Sequence, residues 1–387
     1  MAQRGHHAIC QTSEGSIFVS VYESGSTDST GIWLRLLAKL LRLLEVPHHI
    51  ETGGVTRQDN EQRIDFLARV RNKALEPLHW HQNYSINGSD HISHGQSSSS
   101  SSHTYLHSNI RSSSSSSSEA NDNSSNSSSN GAGNTATTTD YDGDQFVFKA
   151  DKVVFLNDVY FCAQHIHRLL AHEEANLACG LDYCQISTAK HIPKALRKGM
   201  WGLQPLFLRF YDTWVARDAE GSIFSRAFNN PVGDAYGTHR MHQGLAFPVT
   251  CCWNGLAVFD AAPIQQSGLM FRSAQHGECP ASECSHFCED FRRLGHDKMV
   301  VDPAVRLGYD YETATALSKG KWQTFMPWSE AQHKNLDWRS VPKKPDMMCC
   351  PAPRIEACYR RSIYEYNYTV EALQDVSAAS SRSSTAS

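Results

Sequence analysis

The chain predicts an α/β protein with a mostly parallel central sheet flanked by helices. Short β-branched runs alternate with stretches of helical period, the pattern of a sheet layered between helices. Polar, acid-bearing segments follow the strand-like runs, where sheets of this kind place their ligands. A length of 387 residues gives room for one large domain or two smaller ones with a real core.

Residues 16–22, "SIFVSVY", alternate and are β-branched, so they read as a strand. The loop "ESGSTDST" follows, with Ser, Thr and Asp available to cap a helix over 31–45. "PHHIE" is a short strand, and 61–75 place Ile64, Leu67, Val70 and Leu75 on one helical side. Beyond the interruption described next come a strand at 152–156 and a helix over 159–171. Further strands fall near 177–182, 252–259 and 299–301.

Residues 81–144 collapse into Ser, Asn, His, Gly and Thr, too little apolar surface to offset the entropy of ordering. They read as a disordered surface insertion, and 375–387 as a disordered tail. The predicted organisation is an extension at 1–15, one domain formed by 16–80 and 145–320, and a C-terminal extension at 321–374.

A formal charge of −4 gives no general footprint for nucleic acid. No run approaches the roughly 20 apolar residues that cross a bilayer. The most apolar, 32–46, is broken by Arg35, Lys39 and Arg42 and reads as an amphipathic core helix. The opening "MAQRGHHAIC" has no apolar h-region, so either a cytosolic protein or a missing targeting segment is expected. Twelve cysteines include Cys251-Cys252, Cys279, Cys284, Cys288 and Cys349-Cys350 with no C-x-x-C pair, which favours free or disulfide-bonded cysteine over zinc. Sequons at Asn83, Asn87, Asn123, Asn126 and Asn367 point weakly to a secretory lumen.

"FLNDVYFC" carries Asn157 and Asp158 to the tip of a strand. A hard divalent cation takes oxygen ligands, typically one or two carboxylates plus substrate phosphates. Spacing alone leaves open whether Asp158 binds such an ion or caps a helix starting near Val159. In "RIDFLARVRNKALEPL", Arg63, Arg69, Arg71 and Asn72 exceed what a core pattern needs. They suit phosphate, or else a solvated face paired with Asp65 and Glu76. The basic group Lys190, Lys194, Arg197 and Lys198 has the same two readings.

The set "YESGSTDST", "RIDFLARVRNKALEPL", "KVVFLNDVYFC", "ACGLDY", "FYDTWVARDAEG", "CCWNGLAVFDAAP" and "ASECSHFCEDFRRLG", in this order, resembles the fungal CAP59 / cryptococcal α-1,3-mannosyltransferase family over about residues 16–310, the insertion aside. The resemblance implies a GT-A-like glycosyltransferase fold with a Rossmann-like nucleotide-binding half. It implies GDP-mannose as donor, a mannose-containing glycan as acceptor, a Mn2+ or Mg2+ cofactor, retention in an α-1,3 linkage, and a membrane-associated Golgi location. Carried onto this chain, it makes Asp158, Asn157 and Asp310 candidate metal ligands, and "LND" departs from a full D-x-D by offering one carboxylate. Tyr22, Glu23, Asp28 and the group Arg63, Arg69, Arg71 and Asn72 become candidates for the nucleotide. Asp158, Asp182 and Glu283 are catalytic candidates, and Asp212, Trp214, Arg217, Trp253 and Asn254 are candidates for the sugars. Each has a plain structural alternative: helix capping for Asp28 and Glu283, a buried structural acid for Asp182, an Arg–Asp pair and core aromatic for 212–218. A non-catalytic member that binds or assembles capsule or cell-wall glycan, and a zinc module around Cys279, Cys284 and Cys288, remain the competing functions.

Overall fold

The computed structural model describes residues 17–79, 136–139, 149–186, 207–319 and parts of 326–349. The 1–15 extension, the basic group at 190–198, the sequons and the tail lie outside the described residues. So does the predicted insertion, except for the short strand at its end.

The first unit is β1 (Val19–Tyr22), α1 (Thr30–Leu43), β2 (His48–Thr52) and α2 (Arg63–Leu75), closed by a 3-10 turn at Glu76–His79. β1 and β2 run parallel, with α1 as the crossover, and β3 (Ala136–Thr139) adds antiparallel to β2. The predicted amphipathic helix is present, but not as a core helix. Only Ala38 and Leu41 are buried, against Ile50 and the strand residues Val19 and Val21. Its opposite side is exposed.

The second unit contains β4 (Lys152–Leu156), α3 (Ala163–Leu170), β5 (Leu177–Gln185), β6 (Leu208–Phe210), β7 (Arg217–Asp218), α4 (Ala235–His242), β8 (Phe247–Cys251), β9 (Leu256–Asp260), α5 (Ala262–Ser267), α6 (Glu283–Arg293), β10 (Met299–Gly308), α7 (Tyr311–Lys319) and α8 (Trp328–Ala331). Its seven-stranded sheet has the order β4-β9-β5-β10-β8-β7, with β6 on β5.

Here the expected parallel sheet is corrected. Within this sheet β5 and β10 run parallel, and every other described pairing is antiparallel. The reason is visible in the packing. Along β5, Leu177, Cys179 and Leu181 face one cluster and Ala178 the other. β9 splits the same way, with Ala257 and Phe259 opposite Leu256 and Val258. A strand covered on both faces looks alike in sequence whichever way its neighbours run.

The single strand expected over 252–259 is two strands, joined by a turn in which Asn254 and Gly255 have φ of 47° and 78°. A Cβ at Gly255 would lie 2.6 Å from Val159 Cγ1, so this close approach needs glycine. One face of the sheet holds a ring cluster of Trp253, Phe259, Phe271 and Phe287, with centroids 4.4–5.7 Å apart. Burying one such phenylalanine stabilises by about 1.5–3 kcal/mol.

Disulfides tie Cys179 to Cys252, Cys251 to Cys288 and Cys279 to Cys349. Cys279 and Cys288 therefore have other partners, and Cys284 is a free buried thiol. This removes the zinc reading of that group.

Candidate functional site

A cleft of about 1520 Å3 opens between β1 of the small sheet and β4 of the large one, with α2 along its side. Much of its wall is aliphatic, including Val19, Val21, Leu67 and Val70. Chemistry gathers at the end where β4 stops, together with the loop after β6, the residue following β10 and the first turn of α6.

Asp158 is exposed there and makes no ion pair or side-chain hydrogen bond with the described residues. It does not cap the following helix. The N–H of Val159 donates to Asn157 O, and that of Tyr160 to Gly308 O at 2.8 Å. The first bond closes a tight three-residue turn at Asp158 and the second pins Tyr160 to β10, so α3 starts only at Ala163, with Cys162 as its N-cap. Asn157 sits beside it, but its Oδ1 accepts from Arg71 Nη1 at 3.2 Å. Asn157 lines the cleft next to Asp158, with that oxygen shared with a guanidinium. Asp310 is corrected: its oxygens accept from the Thr313 N–H at 2.7 Å and the Thr313 hydroxyl at 2.9 Å, and its carbonyl accepts from the Ala314 N–H, so it caps α7. It does not line the cleft.

Arg71 reaches the cleft wall as a paired cation. Its Nε donates to Glu283 Oε1 at 3.0 Å, and its guanidinium lies 5.3–5.6 Å from the ring centres of Trp253, Phe155 and Phe271. Glu283 is 1% exposed, and its second oxygen accepts from the Ser282 hydroxyl. Arg63 also lines the cleft and is exposed, and its side chain makes no hydrogen bond with the described residues. The other two members of the predicted phosphate group point elsewhere. Arg69 pairs with Glu61 at 2.6 Å. Asn72 clamps the backbone of Phe271 with both amide atoms, each at 2.8 Å.

Asp182 on β5 is fully buried and accepts from the Asp212 N–H and the Tyr309 hydroxyl, the latter at 3.0 Å. Asp212 is partly buried at the cleft, accepting from the N–H groups of Val215 and Asn254. Burial, and then the neighbouring Asp212, push the Asp182 carboxyl well above the carboxylate range. Burial also raises Asp212, to about 6, against the pull of those two N–H groups and the Arg71 and Arg217 cations. Tyr309 is raised by burial and then by the two acids, so it stays a phenol. Tyr211 tilts against it with ring centres 4.4 Å apart.

Three sugar candidates are corrected by their surroundings. Arg217 is buried, gives Nη1 to the carbonyls of Trp214 and Ala216, and does not line the cleft. Asn254 is buried, its Nδ2 donating to Gly180 O at 2.8 Å, so it positions Asp212 and touches no cleft space. Trp253 forms part of the wall, but at 2% exposure its ring belongs to the core cluster. Trp214 does line the cleft.

At the first strand, Tyr22 lines the cleft and its hydroxyl accepts from the Val55 N–H at 2.9 Å. Gly54 makes room, since a Cβ there would meet the Tyr22 ring at 2.5 Å. Glu23 accepts from the N–H groups of Ser26 and Gly53, and Asp28 from that of Thr30, so both organise their own loop outside the cleft. The sequence reading passed over Tyr309 and Tyr211. Each adjoins a residue it did name, Asp310 and Asp212, and that adjacency was the available signal.

A family model described as Cryptococcal mannosyltransferase 1 matches residues 7–95 and 135–290. The chain belongs to the CAP59 family. It is 29% identical over 234 residues to the alpha-1,3-mannosyltransferase CMT1 of Cryptococcus neoformans, a match covering 55% of this chain and 47% of that protein. The chain thus spans about half the length of that relative. No solved structure matches it. The match includes α2, β4, β5, the 211–218 loop and the start of α6, which build most of the polar end of the cleft; Tyr309 lies beyond it.

Proposed function

We propose that this CAP59 member is a retaining glycosyltransferase that moves mannose from GDP-mannose to a mannose-containing glycan in an α-1,3 linkage. The observation that carries the reading is the convergence of Asp158, Asp212, Arg63 and Tyr309 on one cleft, in a chain whose relative is named an alpha-1,3-mannosyltransferase. A GT-A-like division of labour fits: the β1–α1–β2–α2 unit beside the nucleotide, the acids of the large sheet beside the sugar.

The described residues contain no group of three His, Cys, Asp or Glu that would hold a metal alone. What suits a hard cation is the open carboxylate of Asp158, with the diphosphate supplying the remaining oxygens, a common arrangement for such ions. When bound there, Mn2+ or Mg2+ supplies neutralisation of the charge building on departing GDP. Arg63, the exposed cation on α2, adds to that neutralisation. Asp212 is ionised at neutral pH and holds a mannose hydroxyl or the developing positive charge at the anomeric carbon. Glu283 has both oxygens engaged and is neutralised by Arg71, so it serves as a positioning residue and not as a nucleophile. The three disulfides favour maturation in an oxidising lumen, in keeping with a Golgi location.

The test is incubation with GDP- and UDP-sugars, Mn2+ and mannose acceptors, with products read by mass. A mannose adduct formed from GDP-mannose alone, abolished by chelator, is expected. Turnover undiminished by chelator would remove the metal assignment. Absence of any nucleotide binding would favour the non-catalytic glycan-assembly reading.

A further inference from the structure

Exposed aromatic side chains are concentrated at one place. Among the described residues they are Trp33 on α1 and, elsewhere, Tyr160, Phe161, Tyr211 and Tyr311. The last four all flank the polar end of the cleft. Tyr211 lines it beside Asp212, Tyr160 and Phe161 closely follow Asp158, and Tyr311 opens α7 just after Tyr309. The tyrosines form two ring pairs. The inner pair, Tyr211 with Tyr309, lies in the cleft wall with centres 4.4 Å apart. The outer pair, Tyr160 with Tyr311, has centres 6.2 Å apart and is not part of the cleft lining. Both pairs are anchored. The Tyr309 hydroxyl donates to the buried Asp182 at 3.0 Å, and the Tyr160 N–H donates to Gly308 O, the residue before Tyr309, at 2.8 Å.

We propose that the two tyrosine pairs are successive subsites for an acceptor oligosaccharide, the inner for the sugar that is glycosylated and the outer for the next unit of its chain. The inference rests on reading the cleft as a sugar-transfer site, and adds the path of the acceptor and its preference for more than one sugar. Large aromatics left in water forgo the stabilisation of burial, so a group of them beside a pocket marks a binding surface. A pyranose has a C–H face that packs on a ring and an edge of hydroxyls that needs polar partners. Tyrosine supplies both, an apolar face and a hydroxyl that donates and accepts. Continuity with the cleft selects the occupant. The outer pair adjoins the inner one through the Gly308–Tyr309 backbone, and the inner one adjoins Asp212, so a molecule lying on all four rings reaches the acid. Anchored rings also lose little freedom when a ligand settles on them.

The test is saturation-transfer NMR of the whole chain with mannose and with α-1,3-mannobiose. The parent binds the disaccharide about two- to tenfold more tightly than mannose, the worth of one further aromatic contact. Tyr160→Ala with Tyr311→Ala removes that gain while mannose affinity stays, and Tyr211→Ala weakens both sugars by a similar factor. Circular dichroism melts that match the parent verify folding, and Tyr311→Ala alone, at a position 69% exposed, gives part of the same loss. Equal affinity of the parent for the two sugars, no binding of either, or a gain that survives the double substitution overturns the proposal. So does a concentration-dependent dimer abolished by Tyr311→Ala with no sugar bound, which would assign the rings to a second copy. Disaccharide binding with this pattern in a chain that transfers no mannose would end the transferase reading and leave the subsites standing, so the two failures are told apart.

Discussion

Asp182 and Asp212 titrate as neighbours in a site that disfavours their charge. A carboxyl whose folded pKa lies above its unfolded value holds more protons in the folded state, so stability falls as pH rises between the two. For Asp212 that window runs from the ordinary carboxylate range to about 6, and Asp182 is raised in the same direction. Asp182→Asn removes part of the slope, so the melting temperature of the variant relative to the parent is more favourable at pH 8 than at pH 5. An equal difference at both pH values would show that burial of this acid is not what sets its titration. Transfer activity, in turn, rises with pH through about 6 as Asp212 ionises, and Asp212→Asn flattens that limb. Arg71 illustrates the opposite case, a largely buried charge paired with Glu283. Arg71→Met leaves Glu283 buried without its cation and costs about 3–5 kcal/mol, measurable by urea unfolding. Adding Glu283→Gln recovers part of the loss. The sequence pointed to Asp158, Asp212 and Glu283 because acids at strand tips and helix starts stand out. It credited Asn72, Arg217 and Asn254 to ligands because a side-chain-to-backbone hydrogen bond leaves no mark in composition.

At the scale of elements, the turn between β8 and β9 does more than change direction. Its flanking cysteines, Cys251 and Cys252, bond to α6 and β5, and Asn254 in the left-handed region links Gly180 to Asp212. Asn254→Ala meets an unfavourable φ and loses the bond to Gly180. A loss of about 1–3 kcal/mol is expected. Asn254→Gly, which tolerates the backbone, loses less, and chemical denaturation of both variants orders them. Should the two lose equally, the backbone conformation carries no cost there. Element identity was legible for β1 to α2 and for β4, α3, β5, α6 and β10, since β-branched runs and helical period mark strands and helices locally. The short β6, β7, β8, α4 and α5 were not read. Strand direction was not legible, because it depends on pairings between residues far apart, as between Lys152 and Asp260. The late start of α3 was hidden for the same reason, as it follows from the distant Gly308 carbonyl.

For the whole molecule, the arrangement is two sheets with a cleft between their facing strands, one sheet cross-linked by disulfides. Each native disulfide stabilises by about 2–4 kcal/mol. Reductant is therefore expected to lower the melting temperature markedly, and an unchanged melt would mean that the cross-links contribute nothing to the fold. Family membership was the most legible whole-molecule feature, since seven ordered motifs constrain it together. The outward face of α1 was not, because a run of leucines in the sequence does not say which of them the sheet covers. The most direct measurement of the central claim is calorimetric titration of GDP into the protein, with and without Mn2+, for the parent and Asp158→Ala. Mn2+ should tighten GDP binding in the parent by tenfold or more, about 1.4 kcal/mol, and leave Asp158→Ala unaffected. Equal affinities in all four titrations would contradict a cation held at Asp158 and bound to the diphosphate.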